Sequence, residues 1–325
     1  MTGFGSVAVL AGGPSNVREI SLRSGKAVHA ALAGAGIDAV LLDITGDVER
    51  AVGDSCADVA FIALHGRFGE DGAVQAILER MGIPYTGSGP AASRLAIDKV
   101  ASKEAFIKSG IRVPRHVVFE KGRFPEDEAA GLGLPVVVKP HLEGSSIGLS
   151  VVRQADDLAS AARKALGFSA KALVEEYIDG RELTVGIVDD EPLPVIEIVA
   201  KGGLYDYSAK YTDPGTRYLV PAPISGEAAA RARELGRRAH KSLGCRCFSR
   251  IDMMMDLSGE IFVLEANTIP GMTERSLLPK AALASGLRFG DLCVKLIDDA
   301  LKGRPGNGKA EQAEEGKAPG FRRGR

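Results

Sequence analysis

In the stretch RIDMMMDLSGEIFVLEAN, Arg250 and Asp252 lie two residues apart, as do Glu265 and Asn267, on either side of a Leu-Ser-Gly turn. Residues two apart on a strand share a face, so in a hairpin Glu265 and Asn267 project together and the facing strand can bring Asp252 beside them. Three hard oxygen donors at one spot suit Mg²⁺, which takes a few carboxylates together with phosphate oxygens and water. Arg250 on the same face can touch a charge developing next to such an ion. The alternative is an ordinary hairpin with a solvated polar face. The apolar IFVL and MMM neighbours weigh against it, because four polar groups on one buried face are costly unless something compensates them.

A second group with anion chemistry is PVVVKPHLEGSSIG. An apolar strand delivers Lys139, and Gly144, Ser145, Ser146 and Gly148 can bring backbone N–H groups close to an anion, or form a plain turn. The phosphate-loop pattern G-x-x-x-x-G-K-[ST] is absent from the chain. Further on, VEEYIDGRE sets Glu175 and Glu182 on either side of a turn, where they could serve a nucleotide's sugar or stay solvated. ALHGRFGEDGAVQ ends an apolar run with His65, the place where open α/β sheets bind ligands, although a histidine satisfied by its own neighbours fits equally. LAGGPSNVREISLRSG reads as a strand end, a glycine turn and the start of an amphipathic helix. NTIPGMTERSLLP and YDYSAKYTDPGTRY are too irregular for scaffold and too rich in polar chemistry for linkers, as loops that hold or cover substrates are.

The elements needed to position these residues can be read from periodicity. SVAVL, a helix from Ile20 to Gly34, DAVLLD, DVAFIAL and a helix from Ala73 to Met81 follow the strand–helix alternation of a parallel sheet. The Gly/Pro loop GIPYTGSGP precedes one helix over Ala91 to Lys108. A second unit runs through VPRHVVF, LPVVVKP, GLSVV, a helix from Asp156 to Leu166 and ALVEEYI. The third carries ELTVGIV, LPVIEIV, a helix from Gly226 to Leu243 and the hairpin. The segment after Lys302 is rich in Gly, Pro and charge, and is expected to be a disordered tail.

With 325 residues, two or three subdomains are expected. The balance of 41 Lys+Arg against 42 Asp+Glu excludes a general affinity for polyanions or membranes. The four cysteines form no metal or disulfide framework and read as reduced cytosolic thiols. No apolar run approaches the ~20 residues of a membrane span, and the N-terminus shows no cleavable leader. A cytoplasmic globular protein is expected. The FRRGR terminus offers at most weak, salt-sensitive phosphate contacts, and no nucleic-acid partner is expected.

In order and spacing, LHGRFGEDG, GIPYTGSG, Asp98-Lys99, VVVKP, EGSSIG, YDYSAKY, RIDMMMD and LEANTIPGMTERSLLP make the chain from Val7 to Leu301 resemble the D-alanine–D-alanine ligases of the ATP-grasp superfamily. The resemblance implies an α/β fold: an N-terminal parallel-sheet (pre-ATP-grasp) domain over residues 1–98, a central ATP-grasp lobe over 99–180, a C-terminal lobe with metal site and lid over 181–302, and the tail over 303–325. It implies that ATP lies between the lobes, its phosphates met by Lys99 and Lys139 and covered by Ser145 and Ser146. Adenine would be held at the backbone of Glu176, Tyr177 and Ile178, its amino group by Glu175 and the ribose by Glu182. Asp252, Glu265 and Asn267 would hold two Mg²⁺ ions, with Mn²⁺ able to substitute. The carboxylate of one D-alanine would attack the γ-phosphate, and the amine of a second would displace phosphate from the acyl phosphate. Arg250 and the Gly271 backbone would stabilise the oxyanion.

By the same resemblance, Lys210, Ser276 and Leu277 would hold the second D-alanine's carboxylate, and His65 would stand near the first. Tyr211 would pair with Ser145, and since related ligases making D-alanyl-D-lactate lack this tyrosine, a dipeptide product for peptidoglycan precursor synthesis is favoured. YDYSAKYTDPGTRY would be a lid that keeps water from the acyl phosphate. A homodimer without membrane or nucleic-acid partners is implied. Alternatives are another ATP-grasp carboxylate–amine ligase, a D-Ala–D-Lac ligase, or a weakly active or regulatory ATP-binding relative.

One position departs from the family pattern. The loop there reads Ser-x-Glu-Arg-Glu, and its first glutamate binds the ammonium of the first D-alanine, but the matching residue here is Val17. Glu19 matches the second glutamate of the pattern, and Glu19, Glu70 and Glu143 are the candidate substitutes. Val17 could instead pack on the helix beginning near Ser21 while the ammonium stays hydrated. The expected outcome is a high KM for the first D-alanine that Val17→Glu lowers, measured by steady-state kinetics at saturating ATP. A mutant without gain would place the carboxylate elsewhere.

Overall fold

A computed structural model describes residues 5–302. The expected tail over 303–325 lies outside them. The chain builds three sheets in sequence order. The first comes from β1 (Val7–Gly12), α1 (Arg18–Gly34), β2 (Ala39–Ile44), α2 (Val48–Ser55), β3 (Val59–Ile62) and α3 (Ala73–Met81), with its strands parallel in the order β2-β1-β3. Its central strand VAVLAG is buried at all six positions, as a parallel strand covered on both faces must be. Helix α1 lies so close that a Cβ on Gly25 would fall 2.4 Å from the Ala11 Cβ, so only glycine fits there. Ser21 at the start of α1 stitches two strand ends together: its Oγ accepts from Gly12 N–H at 2.9 Å and donates to the Ala63 carbonyl at 2.7 Å.

The expected single helix over 91–108 is two, α4 (Pro90–Ile97) and α5 (Lys99–Lys108). Asp98 breaks the run because it leaves the helical region (φ −79°, ψ 102°) and its carboxylate accepts the N–H groups of Val100 and Ala101. It is the N-cap that starts a new helix with Lys99 as its first residue.

The second sheet is antiparallel in the order β4-β7-β5-β6, from β4 (His116–Glu120), α6 (Glu126–Ala130), β5 (Val136–Pro140), β6 (Ser150–Val152), α7 (Leu158–Leu166) and β7 (Lys171–Glu176). Helix α7 starts two residues later than its sequence pattern, after a 3₁₀ turn over Ala155–Asp157. The third sheet contains β8 (Gly180–Val188), β9 (Glu191–Pro192), β10 (Ile196–Val199), α8 (Tyr207–Tyr211), β11 (Arg217–Leu219), α9 (Gly226–Ser242), β12 (Phe248–Asp256) and β13 (Ile261–Asn267), in the order β11-β10-β8-β12-β13 with β9 on β8. The YDYSAKYTDPGTRY loop is thus part helix and part strand. Two last helices, α10 (Leu277–Ala284) and α11 (Phe289–Lys302), return to the first sheet. Leu292, Leu296 and Ile297 of α11 share one core with Val7, Val9 and Phe61 of the first sheet and with Ile196 and Ile198 of the third. That shared core fixes the first sheet's loops against the third sheet. No helix among the described residues is long and apolar enough to cross a membrane.

Asp98→Ala should lower stability by about 1 kcal/mol, the usual worth of an N-cap, read as a fall in the urea midpoint at unchanged slope.

Candidate active site

β12 and β13 pair with Arg250 opposite Asn267 and Asp252 opposite Glu265. The register then shifts by one, because Asp252 and Met253 face Glu265 and Val263, so Leu264 is the extra residue of a β-bulge. The bulge resolves a conflict of parity. Met253, Met255, Ile261 and Val263 turn into the core under α9, whereas Asp252, Met254, Leu264 and Glu265 line a cavity on the other face. Without the shift, Glu265 would follow Val263 into the apolar side.

Arg250 grips Asp252 with two bonds, Nε to Oδ1 at 2.8 Å and a terminal N–H to Oδ2 at 2.7 Å. Thr184 donates to Oδ1 at 2.6 Å and the Asn267 amide to Oδ2 at 3.0 Å. Asp252 is buried. Burial works against the Arg250 charge, but Asp252 overrides it and holds the guanidinium ionised. Among the described residues, no three His, Cys, Asp or Glu side chains are grouped so that they could hold a metal ion by themselves. The donors on this face are therefore two carboxylates and one amide, a hard oxygen set that suits Mg²⁺ rather than a soft metal.

Lysines answer these acids. Lys99 reaches Glu265 at 3.2 Å and donates to the Glu143 carbonyl at 2.6 Å. Lys139, at the end of β5, lies 2.8 Å from Glu175, which also meets Lys103 at 2.8 Å. Lys103 is 0% exposed. No motif marks it, though its place four residues after Lys99 puts it on the same face of α5. Burial lowers its ammonium to about 8 against the pull of Glu175. Burial also opposes ionisation of Glu175, yet Lys103 and Lys139 hold that carboxyl at about 2. Glu265 behaves alike: burial is outweighed by Lys99, Lys210 and Lys139, and its pKa lies far below the ordinary range.

One large cavity runs between the second and third sheets. Glu176, Tyr177 and Ile178 line one part, and Lys99, Asp252 and Glu265 another. Glu182 stands in its wall, where burial foremost, with Asp252 and Glu265 adding, pushes the carboxyl up to about 8 despite Lys210. Lys210 joins the same wall, its ammonium 5.1 Å from the Tyr205 ring centroid. Two loops meet over the cavity: Ser145 Oγ and the Tyr211 hydroxyl are 2.9 Å apart, and Ser146 Oγ donates to the Tyr205 carbonyl at 3.1 Å. Both serines have positive φ, 52° and 58°, a strained backbone of the kind found at ligand-binding turns.

The first unit contributes His65. Its Nδ1 faces the Ile269 carbonyl at 3.0 Å, which can only accept, so Nδ1 carries the proton and Nε2 accepts from Ser24 Oγ at 2.8 Å. Ser24 Oγ in turn accepts from Met272 N–H at 3.3 Å. His65 is therefore a bolt between the first sheet and the loop carrying Gly271, and Ser24 has no signal in the sequence pattern. A Cβ on Gly271 would lie 2.9 Å from Ser276 Oγ, so this backbone is free to pass close to Ser276 and the start of α10. Val17 is 6% exposed, and its Cγ2 would touch a Cβ on Gly66 at 3.1 Å, while Glu19 is exposed on α1.

Comparison with known proteins agrees along the chain. A family model described as D-ala D-ala ligase C-terminus matches residues 106–298, and one described as D-ala D-ala ligase N-terminus matches 49–88. A D-alanine–D-alanine ligase of Citrifermentans bemidjiense is 47% identical over 90% of this chain and 95% of its own length. One from Ectopseudomonas mendocina is 44% identical over 93% and 96%. The crystal structure of a D-alanine–D-alanine ligase from Bacillus anthracis complexed with ATP superposes with a TM-score of 0.81 at 32% identity, covering 92% of this chain and 98% of that one. The VanG D-Ala:D-Ser ligase from Enterococcus faecalis gives 0.77 at 32% identity, over 91% and 99%.

Removing one partner of a buried ion pair costs about 3–5 kcal/mol. Lys103→Met leaves Glu175 paired with Lys139, so a smaller loss, about 1–3 kcal/mol, is expected. The Glu175 pKa is depressed from 4.5 to about 2, so its stabilising contribution is present above 4.5 and lost as pH falls toward 2. Without Lys103 the depression shrinks. Urea midpoints taken from neutrality down to about pH 3 should therefore fall less steeply in the mutant.

Proposed function

The chain belongs to the D-alanine–D-alanine ligase family, and from that premise we propose how its residues join two D-alanines with ATP. Adenine lies along Glu176, Tyr177 and Ile178 with Glu175 at its amino group, and Glu182 meets the ribose. Lys99 and Lys139 reach the phosphates, and the Ser145-Ser146 turn covers them with backbone N–H groups. Mg²⁺ held by Asp252, Glu265 and Asn267, for which Mn²⁺ can stand in, would neutralise charge on the transferring phosphoryl group.

A carboxylate oxygen of the first D-alanine forms a bond to the γ-phosphorus while the bridging P–O bond breaks and ADP leaves. The amine of the second D-alanine, as free base, attacks the acyl carbon. The tetrahedral intermediate expels phosphate, which takes up the proton the nitrogen loses, and leaves the peptide bond. Arg250 and the Gly271 N–H face the charge that develops in these steps, in a site too dry for water to screen it. Lys210, Ser276 and Leu277 hold the second carboxylate. The Ser145–Tyr211 pair and the segment around it exclude water from the acyl phosphate.

The observation that carries this reading is the bulged hairpin, which groups Arg250, Asp252, Glu265 and Asn267 and sets Asp252 and Glu265, beside Lys99, in the same cavity that Glu176, Tyr177 and Ile178 line. The dipeptide, made in the cytoplasm by a homodimer, enters peptidoglycan precursors. The residues divide functionally as 1–98 for substrate contact, 99–180 for the central lobe and 181–302 for the metal and lid. A D-lactate-using ligase is the second reading, and Tyr211 beside Ser145 at 2.9 Å speaks for the dipeptide.

The test couples ADP release to dipeptide detection with D-alanine, and with D-lactate as alternative second substrate. Arg250→Ala should lower kcat by on the order of 10²–10³-fold or more. Chelation should abolish turnover and Mg²⁺ restore it. An unchanged rate in Arg250→Ala removes Arg250 from the site, and phosphate release with D-lactate in preference to D-alanine overturns the dipeptide assignment.

A further inference from the structure

A small compartment adjoins the phosphate end of the large cavity, lined by Glu70, Lys99, Glu143, Gly144, Glu265 and Asn267. An α-ammonium is two bonds from its own carboxyl carbon, so an amino acid presenting its carboxylate to the Lys99–Glu265 end must set its ammonium in or beside this space. A buried ammonium needs an anion. The loop before α1 supplies none: Val17 is buried and apolar, and Glu19 is exposed.

Three carboxylates border the compartment. Glu265 is committed to Lys99 at 3.2 Å. Glu143 stands near the positive charges of Lys99 and Arg67, and burial pushes its carboxyl up. Glu70 has no lysine or arginine partner among the described residues; its nearest cationic group is His65 Nδ1 at 3.6 Å, whose proton already goes to the Ile269 carbonyl. Its side chain is 17% exposed.

The backbone is built to hold Glu70 there. A Cβ on Gly69 would lie 1.9 Å from the Leu64 carbonyl oxygen, so only glycine lets the loop fold back on the strand end. Glu70 N–H then donates to the Gly66 carbonyl at 2.8 Å, and Asp71 accepts from Phe68 N–H at 2.8 Å and Ala73 N–H at 3.0 Å. One Glu70 oxygen lies 3.8 Å from where a Gly144 Cβ would stand, next to Ser145, and the Glu70 charge reaches the Tyr211 hydroxyl.

We infer that Glu70 binds the ammonium of the first D-alanine, supplying the carboxylate that position 17 lacks. The inference rests on the ligase reading above. It also means that Val17→Glu brings no gain in KM, contrary to what the sequence alone leads one to expect.

The experiment compares wild type with Glu70→Gln. Dipeptide kinetics should show KM for the first D-alanine raised roughly 10–100-fold, the worth of a charged hydrogen bond, with KM for ATP unchanged. A second measurement offers D-alanine or D-lactate as phosphoryl acceptor, with hydroxylamine as the attacking amine, and reads ADP release. D-lactate has no ammonium, so the D-alanine rate should fall in the mutant and the D-lactate rate should not. Dipeptide formation by wild type with an unmoved KM in Glu70→Gln overturns the inference alone, as does an equal fall on both acceptors. A wild-type chain that makes no dipeptide overturns the ligase reading and the inference with it.

Discussion

Burying charge is the constraint on which this structure turns. Lys99, Lys103, Lys139 and Arg250 are placed with Glu175, Asp252 and Glu265 where water is scarce, and none of them could be ionised there alone. The solution is a chain of pairs: Arg250 on Asp252, Lys99 on Glu265, and two lysines on Glu175. Arg250 and Asp252 share β12, but the lysine pairs join different elements, so there the ionic pattern and the folding pattern are one. Lys99 and Lys103 ride on α5, Lys139 on β5, Glu175 on β7 and the rest on the bulged hairpin. If α5 lost its start at Asp98, two of the cations would lose their direction together.

In the proposed reaction the same pairs prepare the site for a polyphosphate. A buried carboxylate facing two ammonium groups stays ionised, which leaves net positive charge on the Lys103–Glu175–Lys139 cluster. An incoming anion meets fixed cations that need no reorganisation, the condition under which electrostatic stabilisation is largest. Arg250 is held by both Asp252 oxygens, so its fork is already oriented when substrate arrives. Covering loops complete the enclosure. Ser145 and Ser146 lie in the loop between β5 and β6 of the second sheet and Tyr205 and Tyr211 in the segment between β10 and β11 of the third, so their contacts tie the two walls of the cavity together.

The first sheet matters to the chemistry although it adds no cation to the phosphate end. α11 locks it into one core with the third sheet, and His65 bolts it to the loop of Gly271 through Ile269 and Ser24. A histidine with both ring nitrogens engaged acts as a positioning group. The loop that follows it carries Glu70 into the compartment beside Asn267.

Much of this was legible from one-dimensional information because it depends on local spacing. Strand parity put Glu265 with Asn267 and Arg250 with Asp252, apolar runs marked all three sheets, and the ordered motifs pointed to the family before any geometry was known. What sequence patterns could not show depends on contacts between distant segments. Periodicity reads Ala91 to Lys108 as one helix, since an aspartate's capping bonds are invisible to an apolar pattern. Strict alternation would have sent Val263 and Glu265 to the same face, and only pairing across the hairpin shows that Leu264 is a bulge. Lys103 looked like an ordinary helix lysine until burial placed it on Glu175, and Ser24 carried no signal at all. The sequence by itself determined the chemistry available, because residue types and their spacing are set along the chain. The tertiary structure decided that Glu70 and Glu143 border the inner compartment while Glu19 stays on the surface, because that depends on how distant segments fold against one another.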